Sequence, residues 1–217
     1  MLIFCLICYD LPMNGIIVNI TKVKDEDLIV TLITKKRLKT LYRFYGARHS
    51  QINLGFMIDF IPVYSAKSTI PMLREVLHLG YSWQFDREKF YAWQQFCRLS
   101  YKHLKDVDVL DEFYFELFTD CIKKLQKQNP KRVLIEAYLK LLDHEGRLHD
   151  DFYCFICENK INHDVVLKRS YLVAHKSCLS GKSFDLKKIV ELFKTKSSLL
   201  LDDHEIEELW KILLEGF

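Results

Sequence analysis

Glycine and proline are scarce in this chain, 7 and 4 among 217 residues. That scarcity excludes collagen-like, linker and low-complexity classes, and a hydrophobic content of 49% argues for a compact fold with a sizeable core. No apolar run approaches the ~20 residues of a membrane-spanning helix. The opening MLIFCLICYDLPM is apolar only from Leu2 to Tyr9, without the basic flank and small-residue cleavage site of a secretory signal. Met13, followed by NGIIVNI, reads as the better beginning; otherwise the first twelve residues add an edge strand. A cytoplasmic location is expected, and there 7 cysteines point to free thiols or metal ligands rather than disulfides.

Catalytic signatures are missing as well. There is no serine elbow, no HExxH and no dinucleotide fingerprint. The GKS at Gly181 to Ser183 resembles the end of a phosphate-binding loop, but Lys176 stands where the first glycine is required. DEF and DDHE read as solvated helix starts, and His144 and His149 as surface residues. A metal-dependent nuclease, the enzymatic alternative, would need an open metal site and clustered carboxylates, and neither is visible.

Acids are absent between Asp27 and Asp59. Within that gap TKKRLKTLYRFYGARHSQ, Thr34 to Gln51, holds six cations and three aromatic rings. Alternate residues of a strand share a face. RLKTLYRFY therefore puts Arg37, Lys39, Leu41, Arg43 and Tyr45 on one side, and Leu38, Thr40, Tyr42 and Phe44 on a side suited to a barrel interior. Lys35, Lys36 and Arg48 flank the strand. The expected nucleic-acid set is Lys35, Lys36, Arg37, Lys39, Arg43, Tyr45 and Arg48. Bases would stack on Tyr45, or on Tyr42 if the phase is shifted by one. The competing reading is a solvated face whose cations keep a sheet edge unpaired.

The fold class expected is α+β, with an N-terminal OB-fold β-barrel followed by an α-helical domain carrying an inserted zinc-ribbon-like module. GIIVNI, DLIVTLIT, LKTLYRFYG and LGFMIDFIPVYS are strand-like, with Pro62 marking an edge or bulge. TIPMLREVLHLG is expected to be a helix, because Ile70, Leu73, Val76 and Leu77 share a helical face and Gly80 would end it. Helices are also expected in DREKFYAWQQFCRLSYKHL, VLDEFYFELFTDCIKKLQKQ, NPKRVLIEAYLKLLDHEG, FDLKKIVELFKT and DDHEIEELWKILLEGF. Asn129, Pro130 and Gly146 punctuate the fourth of these six helices. The domains expected are 13–80 for the barrel, 81–150 with 182–217 for the helices, and 151–181 for the metal module.

Cys154, Cys157, His175 and Cys178 form C-x2-C and H-x2-C pairs around a hairpin-length insert, DVVLKRSYLV. Four such ligands suit a structural Zn²⁺ with no open coordination position. His163, inside the insert, is a rival ligand. Cys5 and Cys8 lack a second pair and read as core, as do Cys97 and Cys121.

Three stretches, GIIVNITKVKDEDLIVTLIT, YGARHS and EAYLKLLDHEGRLHDDFYCFIC, resemble in their order the bacterial recombination mediator RecO family. The helix DEFYFELFTDCIKKL fits as well. The resemblance implies a non-enzymatic protein that binds single- and double-stranded DNA and anneals strands. It implies action with RecR, the C-terminal tail of single-strand-binding protein and, indirectly, RecA, in a cytoplasmic, nucleoid-associated setting. The zinc module of that family usually shows four Cys; here His175 takes the third place. The alternative of another class is an RNA-binding OB-fold module.

Overall fold

A computed structural model describes residues 12–107 and 109–217; the opening segment with Cys5 and Cys8, and Asp108, lie outside the described residues. The chain divides into two compact units, the first ending at Gln126 and the second running from Lys127 to Phe217. No helix among the described residues is long and apolar enough to cross a membrane.

In the first unit, β1 (Met13–Lys22), β2 (Leu28–Ile33), β3 (Leu38–Arg43), β4 (Met57–Ser65) and β5 (Ser68–His78) close a barrel in the order β1-β2-β3-β5-β4. Every junction is antiparallel except β3–β5, which is parallel and registers through one pair, Tyr42 with Met72. This is the ring expected of a five-stranded Greek-key barrel. Ile17, Leu28, Val30, Leu32, Leu41, Ile58, Phe60 and Leu73 fill it. Pro62 sits on β4 past Phe60, the last β4 residue paired with β1, and register shifts flank it.

The helix expected from Thr69 to Gly80 is instead β5, the strand that closes the barrel. A bulge explains the misreading. Asp59 pairs with Leu77 and Ile61 with Arg74, so β5 carries one extra residue there, and Glu75 takes a positive φ of 48°. The extra residue changes the phase of the strand. Leu73 and Val76 both reach the barrel core at a spacing of three, which imitates a helix.

Helices α1 (Arg87–Leu104) and α2 (Glu112–Lys124) start at Asp86 and Asp111, whose side chains accept from Lys89 N and Phe113 N. Cys97 and Cys121 are buried, as expected. Gly55 joins the barrel to α1. Its N–H donates to Ile17 O (2.8 Å), and its carbonyl accepts from Trp93 Nε1 (2.8 Å) and Tyr81 Oη (2.9 Å). Its φ is +85°, and a Cβ there would lie 2.8 Å from the Trp93 ring. Gly55→Ala should therefore cost about 2 kcal/mol or more, from backbone strain and displacement of a buried indole; urea denaturation followed by Trp fluorescence measures it.

The second unit contains α3 (Pro130–His144), a three-stranded sheet, and helices α4 (Leu186–Thr195) and α5 (Asp203–Leu214). The sheet order is β7-β6-β8, with β6 at Val165–Lys168, β7 at Leu172–His175 and β8 at Ser183–Phe184. Asn129 caps α3 through Lys131 N and Arg132 N, and Gly146 follows the helix with φ +65°. Asp202 and Glu205 form a capping box on α5. The expected hairpin is β6 against β7, paired from Val165–His175 to Lys168–Leu172.

Candidate nucleic-acid interface and metal centre

The β2–β3 turn is set by Thr34. Its N–H (3.1 Å) and hydroxyl (2.7 Å) both donate to Arg37 O, closing a four-residue turn whose two central residues are Lys35 and Lys36. Lys35, Lys36 and Arg37 are exposed in consequence. They line a cleft of about 570 Å³ together with Lys39, Met13, Asn14 and Asp59.

The strand phase is the reverse of the one expected. Lys39 and Leu41 are the buried residues of β3, whereas Thr40 is exposed and Tyr42 half-buried. Leu41 faces the barrel core. Lys39 lies on the same inward side, near the barrel's end, so its stem is covered while its amine reaches Tyr64 Oη (3.1 Å) and lies 5.7 Å from that ring's centroid. The cations of β3 do not share one solvent-facing ribbon.

The remaining expected residues gather elsewhere. Leu38 and Arg43 are five steps apart on β3, roughly 17 Å at strand rise. Arg43 turns inward, and its Nη1 donates to Leu73 O (2.9 Å) across the parallel seam. Burial, and then Arg74 nearby, lower its pKa. Tyr45 is exposed in a left-handed conformation (φ 50°). Its N–H donates to Asp27 Oδ1 (2.7 Å), and Tyr42 Oη donates to Asp27 Oδ2 (2.5 Å). These two bonds, Tyr42 first, hold the Asp27 carboxyl below its usual range. Arg48 pairs with Glu26, and its guanidinium lies 5.3 Å from the Tyr45 ring centroid. Tyr42 and the exposed Phe44 meet edge-on at 5.0 Å between centroids.

Thus Lys35, Lys36, Arg37 and Lys39 come together, while Arg43, Tyr45 and Arg48 lie toward the other end of β3. Sequence reasoning passed over Glu26, Asp27 and Glu112, the carboxylates that hold Arg48, Tyr45 and Lys35. Each lies far along the chain from its partner, and no local pattern marks the pairing.

In the second unit, Cys154, Cys157, His175 and Cys178 converge, their ligand atoms all within 4.8 Å of one another. Cys154 and Cys157 sit on a knuckle closed by Glu158 N–H to Cys154 O (2.8 Å) and Cys154 N–H to Asn159 O (2.9 Å), with Glu158 at φ 58°. His175 ends β7, and its carbonyl accepts from Cys178 N and Leu179 N, each at 3.0 Å, which turns Cys178 back toward the knuckle. Cys157 Sγ lies 3.4 Å from His175 Nδ1, and His175 Nε2 lies 3.2 Å from Lys160 O. A carbonyl on the far ring nitrogen orients the imidazole and leaves Nδ1 to bind an ion. Burial raises the Cys154 thiol, but the N–H groups of Cys157, His175 and Ile156 and the His175 ring together outweigh it and bring the thiol down to about 6. The backbone N–H of Asn159 lowers Cys157. These four side chains could hold a metal ion. The rival His163 is not among them.

No curated protein matches the chain in a search of such proteins. A family model described as "RecO N terminal" matches residues 13–84, from the first residue of β1 past the last of β5. Over residues 13–84, a third of the chain, which include all five barrel strands, this protein is similar to the RecO N-terminal family.

Proposed function

We propose that the protein is a non-enzymatic recombination mediator that binds single- and double-stranded DNA, anneals complementary strands and assists RecA loading. Its partners on this reading are RecR and the C-terminal tail of single-strand-binding protein, in the cytoplasm at the nucleoid. The observation that carries it is the cleft at the barrel's end, where Lys35, Lys36, Arg37 and Lys39 converge in a barrel similar to the RecO N-terminal family. Annealing needs no bond chemistry. A cationic surface reduces repulsion between two polyanions and raises the effective concentration of one strand near the other. Tyr45 and Phe44 are exposed rings on which bases can stack.

The ion assigned to the Cys154, Cys157, His175 and Cys178 group is zinc. With Zn–S about 2.3 Å and Zn–N about 2.0 Å, a tetrahedral S to N edge is roughly 3.5 Å, close to the 3.4 Å between Cys157 Sγ and His175 Nδ1. Four protein ligands leave no place for a reactive water, so the role is structural.

The test is the affinity of the full chain for a fluorescein-labelled single strand between 50 and 200 mM salt. Four phosphate contacts should give a slope of log K against log salt near −3. Affinity that is flat in salt would remove the cleft from the function.

A further inference from the structure

The cationic turn has an acidic neighbour within its own unit. Between Lys105 and Lys123 the chain carries six acids, Asp106, Asp108, Asp111, Glu112, Glu116 and Asp120, and no lysine or arginine. The start of α2 is tied to the turn at two points. Leu110 N–H donates to Lys36 O (3.1 Å), and Lys35 Nζ pairs with Glu112 Oε1 at 2.8 Å. Glu112, Glu116 and Asp120 follow one another at i, i+4 and i+8, so they form one stripe leading away from the turn. Glu112 and Glu116 are exposed. Asp120 already pairs with Lys124 (3.0 Å). The hydrogen bond and charge of Glu112, followed by the charge of Glu116, raise the Lys35 ammonium pKa.

We propose that Glu112 and Glu116 are built-in competitors for nucleic acid, standing where phosphates would stand beside Lys35 and so setting how tightly the turn binds a strand. The Lys35 and Glu112 side chains are 61% and 54% exposed. A pair so open to water is weak, so a polyanion offering several phosphates at once displaces it, while a lone phosphate does not. The stripe therefore biases the cleft toward strands over mononucleotides. This inference rests on the reading of the turn as a DNA site.

The experiment compares the wild-type chain with Glu112→Gln, with Glu112→Gln/Glu116→Gln and with Asp120→Asn, using fluorescein-labelled oligothymidylate at 50 and 200 mM salt. At 50 mM the single variant should bind about threefold tighter and the double variant about tenfold tighter, with the gain shrinking at 200 mM. Asp120→Asn changes net charge as Glu112→Gln does, but its site lies about 12 Å further along the helix, close to the Debye length of roughly 14 Å at 50 mM salt and well beyond the roughly 7 Å at 200 mM, and its carboxylate is already held by Lys124. It should change affinity less than twofold. Variants that bind like the wild type or more weakly, or an Asp120→Asn gain equal to that of Glu112→Gln, overturn the competitor role and leave the turn as the binding site. Failure of every form to bind overturns the binding site and the competitor together.

Discussion

Cys154→Ser should leave the chain without stoichiometric zinc and should unfold the knuckle around it. Structural zinc in finger peptides is held by about 10–16 kcal/mol at pH 7, whereas a whole domain is stable by only about 5–15 kcal/mol. Losing even part of the first quantity is large against the second. The effect should concentrate where the ligands sit. Phe155 N–H bonds Val173 O (3.0 Å) and Ile161 N–H bonds Phe152 O (2.9 Å), so the knuckle, β6 and β7 share one bonded frame. Hydrogen exchange should rise strongly in 153–178 and little in the barrel, and metal analysis should fall from one zinc per chain to none. Acid should act in the same direction, because protons compete with the ion for thiolates. A thiol already brought down to about 6 defers that competition at Cys154 to mildly acidic pH. Full protection of 153–178 in the serine variant would show that the sulfur cluster is packing and not a metal centre.

Lys36→Glu/Arg37→Glu should give the largest loss of DNA binding available from two substitutions. Each phosphate contact on a single strand contributes about −0.7 to the salt slope, so the magnitude of the slope should fall by about 1.4. Affinity at 50 mM salt should drop by about tenfold or more, since the new carboxylates also repel the strand. The fold should survive. Both side chains are exposed, and the turn is closed by the backbone carbonyl of Arg37 rather than by its guanidinium. A melting temperature within a few degrees of wild type, together with unaltered strand annealing, would remove this turn from the mechanism.

The parts of the fold legible in the sequence were those with local chemistry. Asn129 followed by Pro130, and Asp202 with Glu205, announce helix starts because caps act within four residues. The gathering of Cys154, Cys157, His175 and Cys178 was legible because the knuckle spacing is itself the geometry. Two readings failed where geometry departs from regular alternation. In β5 the extra residue at Glu75 shifts the phase. In β3 both faces carry apolar residues, Leu41 on one and Leu38 with Tyr42 on the other, so alternation alone leaves the phase open. The structure turns Leu41 into the core and takes Lys39 with it, which a strand end tolerates because a lysine stem can lie inside while its amine reaches a polar partner, here the Tyr64 hydroxyl. The separation of Arg43, Tyr45 and Arg48 from the cleft follows from strand length, and their carboxylate partners come from distant segments.

A ring of strands yields first at its least-bonded joint, and here that joint is the lone Tyr42 and Met72 parallel pair. The guanidinium of Arg43, reaching Leu73 O across the gap, acts there as a stitch. Any breathing of the cylinder would begin beside this arginine, which makes its positive charge a fastening of the wall more than a hand held out to phosphate.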